Sequence, residues 1–222
     1  MISKKGLLTT VAWQLKEGGP VTYALEGGAF ICGAAVQWLR DGLGFIKDAK
    51  EIEKLSRKVK DAGGVQFVPA FAGLGAPHWN PHVRGTFVGL SRGTERAHIA
   101  RATLEAMALQ NVDIFDAMKS DSKLKLTSVR VDGGAAKNNL LLQIQANFLG
   151  SKVHRPKNIE STSLGASLMA GLGVGLWSDL KDLKKLDAID KEFRPALSPS
   201  QRKSRLKQWS HTISAMETLY RP

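Results

Sequence analysis

The run Ser128-Val129-Arg130-Val131-Asp132-Gly133-Gly134-Ala135-Ala136-Lys137-Asn138-Asn139 decides the fold class. Leu126 to Val131 reads as a short strand, and Asp132 to Ala135 as a tight turn. Asn138 to Leu149 then reads as a helix, Lys152 to Arg155 as a strand and Ser163 to Leu172 as a helix of small residues. Strand, helix, strand, helix is the order of a parallel α/β sheet. Ligands of open α/β sheets sit at the carboxyl ends of strands, beside helix N-termini. Gly133 and Gly134 lack Cβ atoms, so a ribose or phosphate could approach their backbone, and Asn138 offers a donor and an acceptor. A plain strand–turn–helix corner, with glycines for geometry and Asn138 as a cap, explains the same residues and is favoured on this segment alone. The run is neither a Walker A loop nor a G-x-G-x-x-G fingerprint.

Working outward, Gly6 to Leu15 and Val21 to Glu26 flank the turn Glu17-Gly18-Gly19-Pro20 and predict an antiparallel hairpin. Phe30, Ala34, Val36, Trp38, Leu39 and Leu43 fall at helical spacing between Ala29 and Leu43. Asp48 to Lys60 predicts a second helix, stopped by Gly63-Gly64. Val65 to Phe71 is β-rich but contains Pro69, which suits an edge strand or an extended segment. Gly73 to Arg84 reads as a long ordered loop and Gly85 to Leu90 as a short strand. Ala97 to Met118 predicts a long helix with Ile99, Ala102, Ala106, Leu109 and Val112 on one face, and Ser200 to Tyr220 a terminal amphipathic helix. No repeat, low-complexity tract or linker divides the chain, so one domain over residues 1–222 is the simplest organisation, with 196–222 its terminal helix.

The chain has 222 residues, 43% of them hydrophobic and 23% charged. That is long enough to bury a core without staples, and its composition excludes disordered, collagen-like and coiled-coil classes. A single cysteine, Cys32, excludes an internal disulfide framework and a multi-cysteine zinc site and suits a reducing compartment. Met1 to Lys5 is not followed by an apolar stretch, so no signal peptide is expected. Leu164 to Trp177 is too short to span a bilayer. The net charge of +12 favours an anionic partner, but the clusters Arg57-Lys58-Lys60, Lys181-Lys184-Lys185 and Arg202-Lys203-Arg205-Lys207 read as solvated helix faces. Basic stripes interleaved with aromatics are missing, which argues against nucleic acid.

Gly33 and Gln37 stand at i and i+4 and could line one wall of a pocket. A helix with a small residue at a close contact is the favoured alternative. His78 and His82 are separated by Pro81, which disfavours the helical geometry a metal pair needs, so both read as solvated loop histidines. The sequence has no Gly-x-Ser-x-Gly nucleophile elbow.

Taken together, these segments resemble the FGGY carbohydrate kinases, the sugar-kinase family that includes glycerol kinase. Gly85 to Glu105 fits the family's second signature at each constrained position. GLLTTVAW, YALEGGAF, AAVQWLRD, VPAFAGLGAPHWNP, VRVDGGAAKNN and EFRP resemble the glycerol kinase branch in the same order. The resemblance covers Gly6 to Pro195 and is to the C-terminal domain. It implies an actin-like, ribonuclease-H-like α/β domain with a mixed sheet that lacks its first strand here, leaving two strand edges unpaired. It also implies that adenine nucleotide, ATP or ADP with Mg²⁺, is held by Gly33 and Gln37 and by Gly134 and Asn138. By the same resemblance, the catalytic aspartate precedes the point matching Met1, and no catalytic or metal-ligating residue is carried over to this chain. The implied activity is ATP-dependent phosphorylation of glycerol to sn-glycerol 3-phosphate by a cytoplasmic, homo-oligomeric enzyme. The chain alone would be inactive, and its missing N-terminal half would come in cis or in trans. Two alternatives stay open: a kinase for another polyol or sugar, and a non-catalytic module that binds a nucleotide or partner.

Overall fold

The computed structural model describes residues 2–123, 125–184 and 188–221. Met1, which opens the N-terminal stretch read above, and Lys185 of one basic cluster lie outside them. The chain divides into two compact units, Met1–Lys125 with Ser198–Pro222, and Leu126–Leu197.

The first unit opens with an antiparallel hairpin of β1 (Leu8–Trp13) and β2 (Thr22–Glu26), with Val11 opposite Tyr23 and a bulge before Trp13. It continues through α1 (Gly33–Asp41), α2 (Glu51–Ser56), β3 (Gln66–Val68), β4 (Thr86–Val88) and α3 (Arg96–Ser122). β3 and β4 pair only with each other among the described residues, and Pro69 directly follows β3. The core forms where alanines clear space for aromatics. Ala35 of α1 and Ala102 and Ala106 of α3 pack around Phe67, with Trp38 and Phe87 against them. The Phe67 and Phe87 rings stack 4.1 Å apart at 8°, and Trp38 stacks 5.9 Å from Phe67.

α3 is the spine of this unit, 27 residues and so about 40 Å long. It starts at a capping box in which the His98 backbone N–H donates to the Glu95 side chain and the Glu95 N–H donates to His98 Nδ1. It ends at Lys123 in the left-handed region. Its buried residues include Ala100, Thr103, Leu104, Met107 and Ala108 besides the expected stripe, so it is covered on more than one side. The terminal helix (Pro199–Leu219) returns to this unit and is capped by Ser198 and Gln201, with Pro199 in its first turn. The indole of its buried Trp209 donates to Asp113 of α3 at 2.7 Å, and Thr212 donates to Gln66 of β3 at 3.1 Å.

The loop 73–84 is ordered by its own ladder. Leu74 and Asn80 exchange backbone bonds of 2.8 and 3.1 Å, and Trp79 N–H donates to Gly75 at 2.9 Å. Gly73 has φ +83°, and a Cβ there would stand 2.7 Å from the Asn80 carbonyl, so the tight turn requires glycine. Trp79 packs edge-on to Phe30 and donates its indole N–H to the Gly6 carbonyl. His78 is not the solvated residue its loop setting suggested. Its ring is held between Asp113 of α3 at 3.2 Å and Glu217 of the terminal helix at 3.5 Å. Residues 35 and 139 positions away make that site, which no local pattern shows. His82 is exposed, as read.

The second unit holds a three-stranded sheet in the order β5 (Ser128–Arg130), β6 (Lys152–Pro156), β7 (Ile189–Phe193). β5 and β6 are parallel, while β7 runs antiparallel to β6, which makes the sheet mixed. α4 (Asn139–Leu149) lies against β6 and β7. α5 (Ser161–Gly173) and α6 (Leu180–Lys184) follow β6, so the terminal helix is α7. Neither α6 nor β7 shows in the sequence pattern. β7 reads Ile-Asp-Lys-Glu-Phe and buries only Phe193, so an edge strand's charges hide its alternation. Among the described residues, β1 and β5 each have one ladder partner. No helix there is long and apolar enough to cross a membrane.

Candidate nucleotide site

α1 begins at Gly33 because Cys32 leaves helical geometry at φ −122°, ψ −94°. Its entry is tied down by Gln110 of α3, which donates to the Ile31 carbonyl at 3.0 Å. Ala35, Val36 and Leu39 turn inward and are buried, while Gly33 and Gln37 are exposed. Spaced four apart, they stand on one face of the helix. Burial pushes the Cys32 thiol up, opposed by its bond with Gly33, so it is a poor nucleophile.

The second segment leaves β5 and turns at Gly133, whose φ of +76° and ψ of 179° call for glycine. The Gly133 N–H donates to the Ile159 carbonyl at 2.7 Å. A single 3₁₀ run, Gly134–Lys137, leads to Asn138. Asn138 is extended at φ −81°, ψ 104°, and its Oδ1 accepts from the Leu141 N–H at 2.9 Å, capping α4. The capping role read from sequence is therefore present. It commits the carbonyl oxygen of this side chain. Gly134 is exposed, and a Cβ on it would meet nothing within 4 Å. The same is true of Gly33. The two pairs fall in different compact units, Gly33 and Gln37 in the first and Gly134 and Asn138 in the second.

Sequence reading passed over Arg155. Its Nη1 donates to the Ala136 carbonyl and to Asn139 Oδ1, both at 3.0 Å, with the Lys137 carbonyl at 3.5 Å. Its Nε donates to Asp190 Oδ2 at 2.7 Å, and Nη2 stands 2.7 Å from the same oxygen. These partners lie up to 35 residues away, so no spacing rule finds them. Among the described residues no group of three or more histidine, cysteine or acidic side chains gathers.

A mixed α/β unit with a glycine turn opening a helix is a setting for a phosphate-bearing ligand. The FGGY family of carbohydrate kinases, C-terminal domain, matches residues 1–174, and the chain belongs to that family. Within it, the glycerol kinase of Bdellovibrio bacteriovorus is 58% identical over 211 residues, covering 95% of this chain and 42% of the relative. The glycerol kinase of Saccharolobus islandicus is 53% identical over 212 residues, covering 96% of this chain and 42% of the relative. The crystal structure of Plasmodium falciparum glycerol kinase with ADP superimposes with a TM-score of 0.89 at 35% identity, over 96% of this chain and 42% of that one. Xylulose kinase from Lactobacillus acidophilus shares the fold, with a TM-score of 0.81 at 21% identity over 99% of this chain and 44% of that one. The chain thus spans about 42% of the length of the curated relatives it matches.

Proposed function

We propose that this chain is the nucleotide-side part of an ATP-dependent glycerol kinase, cytoplasmic like a soluble metabolic enzyme. Gly33 and Gln37 on α1 and Gly134 and Asn138 at the start of α4 hold the adenine nucleotide. The observation that carries this reading is that Gly33 and Gly134, each the first residue of a helical run, are glycines without an internal reason. Neither has the positive φ that demands glycine, and neither faces an atom that a Cβ would touch. A bare backbone at such a place serves a ligand that comes close to it. Gln37 and the Asn138 amide then supply directional hydrogen bonds to ring nitrogens or ribose oxygens. Glycerol is favoured as acceptor by identities of 58% and 53% with glycerol kinases, against 21% and 22% with a xylulose and a gluconate kinase.

Phosphoryl transfer needs a positioned acceptor and neutralised γ-phosphate charge. Mg²⁺ supplies part of that neutralisation when bound with the nucleotide. The residues assigned to this chain bind and orient; none is a general base toward glycerol. The 222 residues alone therefore bind nucleotide without phosphorylating glycerol, and the remaining part of the enzyme, in cis or in trans, completes the activity. The test is a titration of the purified chain with ADP. Gly134→Leu and Gly33→Leu should each weaken binding about tenfold or more, a loss of about 1.4 kcal/mol, with the thermal midpoint little changed. Unchanged affinity in both variants would overturn the assignment. Incubation with ATP and glycerol should give no glycerol phosphate until the N-terminal part of a glycerol kinase is added. Xylulose and gluconate, offered side by side with glycerol, check the acceptor.

A further inference from the structure

The turn that carries Gly134 and Asn138 is held from outside by the Arg155 side chain. Within the turn, the Ala136 N–H donates to Gly133 and the Asn138 N–H to Ala135, each at 3.1 Å. Asn138 then leaves helical geometry, which interrupts the run of backbone bonds beyond Ala135. Ala136 is buried, and an unpaired carbonyl there is costly. Arg155 answers it. One nitrogen of its guanidinium bonds both the Ala136 carbonyl and the Asn139 side chain, so the residues just before and just after the Lys137–Asn138 pair are pinned to the same group. The far side of the guanidinium bonds Asp190 of β7, and the Phe193 ring lies 5.8 Å from its carbon. The Arg155 side chain is only 14% exposed, so its charge needs that counter-charge.

We propose that Arg155, braced by Asp190, is a positioning residue that sets the Gly134–Asn138 turn in the shape that receives a nucleotide. This rests on the nucleotide reading of that turn. It assigns a purpose to β7, the strand hidden in the sequence: it carries the carboxylate that orients the arginine. The guanidinium suits the task because its donors diverge in one rigid plane, so it reaches the turn and Asp190 at once. A lysine ammonium is a compact charge without that fork.

The experiment compares the full chain with Arg155→Lys, Asp190→Asn and Asn138→Asp by ADP titration and by hydrogen exchange of individual backbone amides. Asn138→Asp keeps a capping oxygen and removes the Nδ2 donor. Arg155→Lys and Asp190→Asn should each weaken ADP about tenfold, as loss of an outer-shell partner does at other sites. They should also speed exchange at Ala136, Asn138 and Leu141. Asn138→Asp should weaken ADP with exchange at the turn unchanged. Parental exchange at the turn in Arg155→Lys would overturn the proposal. An equal rise in exchange at amides of α3, in the other unit, would overturn it too, because it would mean general loosening. If the parent chain does not bind ADP, the nucleotide reading falls and the exchange data alone judge the clamp. Parental affinity in Arg155→Lys, with ADP bound normally by the parent, would reject its role toward the nucleotide.

Discussion

Two antiparallel ribbons in the first unit show opposite fates of similar sequence. β1–β2 carries Leu8, Val11, Trp13 and Tyr23, and all four are more than half exposed. β3–β4 carries Phe67 and Val68, which are fully buried, and Phe87 stacked on Phe67. Each ribbon has two strands, and two strands alone are marginal in water. What separates them is cover: α1 and α3 close over β3–β4 through Ala35, Ala102 and Ala106. No described residue buries the exposed face of β1–β2. Apolar patterning therefore marks which residues want burial, while neighbouring elements decide which of them get it.

The sharpest way to break this contrast is to truncate both ribbons. Phe67→Ala should destabilise the chain by about 3–5 kcal/mol, as for other buried aromatics. Val11→Thr should change it by less than about 0.5 kcal/mol. Urea denaturation of the two variants decides the matter, and comparable losses would mean that the hairpin is covered in solution. Next in size is Trp209→Phe, which removes the indole donor to Asp113 and leaves a void where the larger buried ring stood. A loss of about 1–3 kcal/mol is expected from the missing bond and the void together. A neutral result would show that His78 alone satisfies that carboxylate.

A smaller effect should appear with pH. Burial pulls the His78 imidazole down, but Asp113 and Glu217 on either side outweigh it and leave it above its ordinary value of 6.5. The folded state thus holds the proton more tightly than the unfolded chain. The contribution is complete below about pH 6.5 and is lost as pH rises through the higher folded value. His78→Asn should flatten the stability profile in that window; a parallel profile would show that the loop is held by its backbone ladder alone. The smallest effect belongs to Gly33. Gly33→Ala should stabilise the chain by about 0.4–1 kcal/mol, since a helical glycine with free space around it is replaced. It should also weaken ADP binding. Stability up and affinity down together would separate a ligand-facing glycine from a packing one, and thermal melts with ADP titration read both.

Much of the fold was legible in the sequence because its signals are local. Glycine pairs punctuate the helices, Ser198-Pro199 with Gln201 announces α7, and helical spacing runs through α1 and α3. The site was legible only as types of residue. Gly134 and Asn138 could be a cap and a turn, and in the structure Asn138 is a cap while Gly134 stands bare. β7 was not legible because its alternation is masked by Asp190, Lys191 and Glu192 on a mostly exposed edge strand. α2 is shorter than its charge pattern suggested, six residues from Glu51 to Ser56. Its helical run gives way to turns between Arg57 and Gly63.

By itself, the sequence determined the family through Gly85 to Glu105 and the motifs around it, the order of most strands and helices, and the residue types available to a nucleotide. Those follow from backbone preference, spacing and side-chain chemistry, which act over a few residues. Tertiary structure decided the rest: which strands pair to make the mixed sheet, that His78 sits between two carboxylates, that Arg155 bonds the glycine turn, and that one ribbon buries its aromatics while the other leaves four large apolar side chains exposed. Each of these depends on groups 16 to 139 residues apart meeting, as hydrogen-bond partners, ion pairs or packed side chains. Only the packing of whole elements brings such groups together.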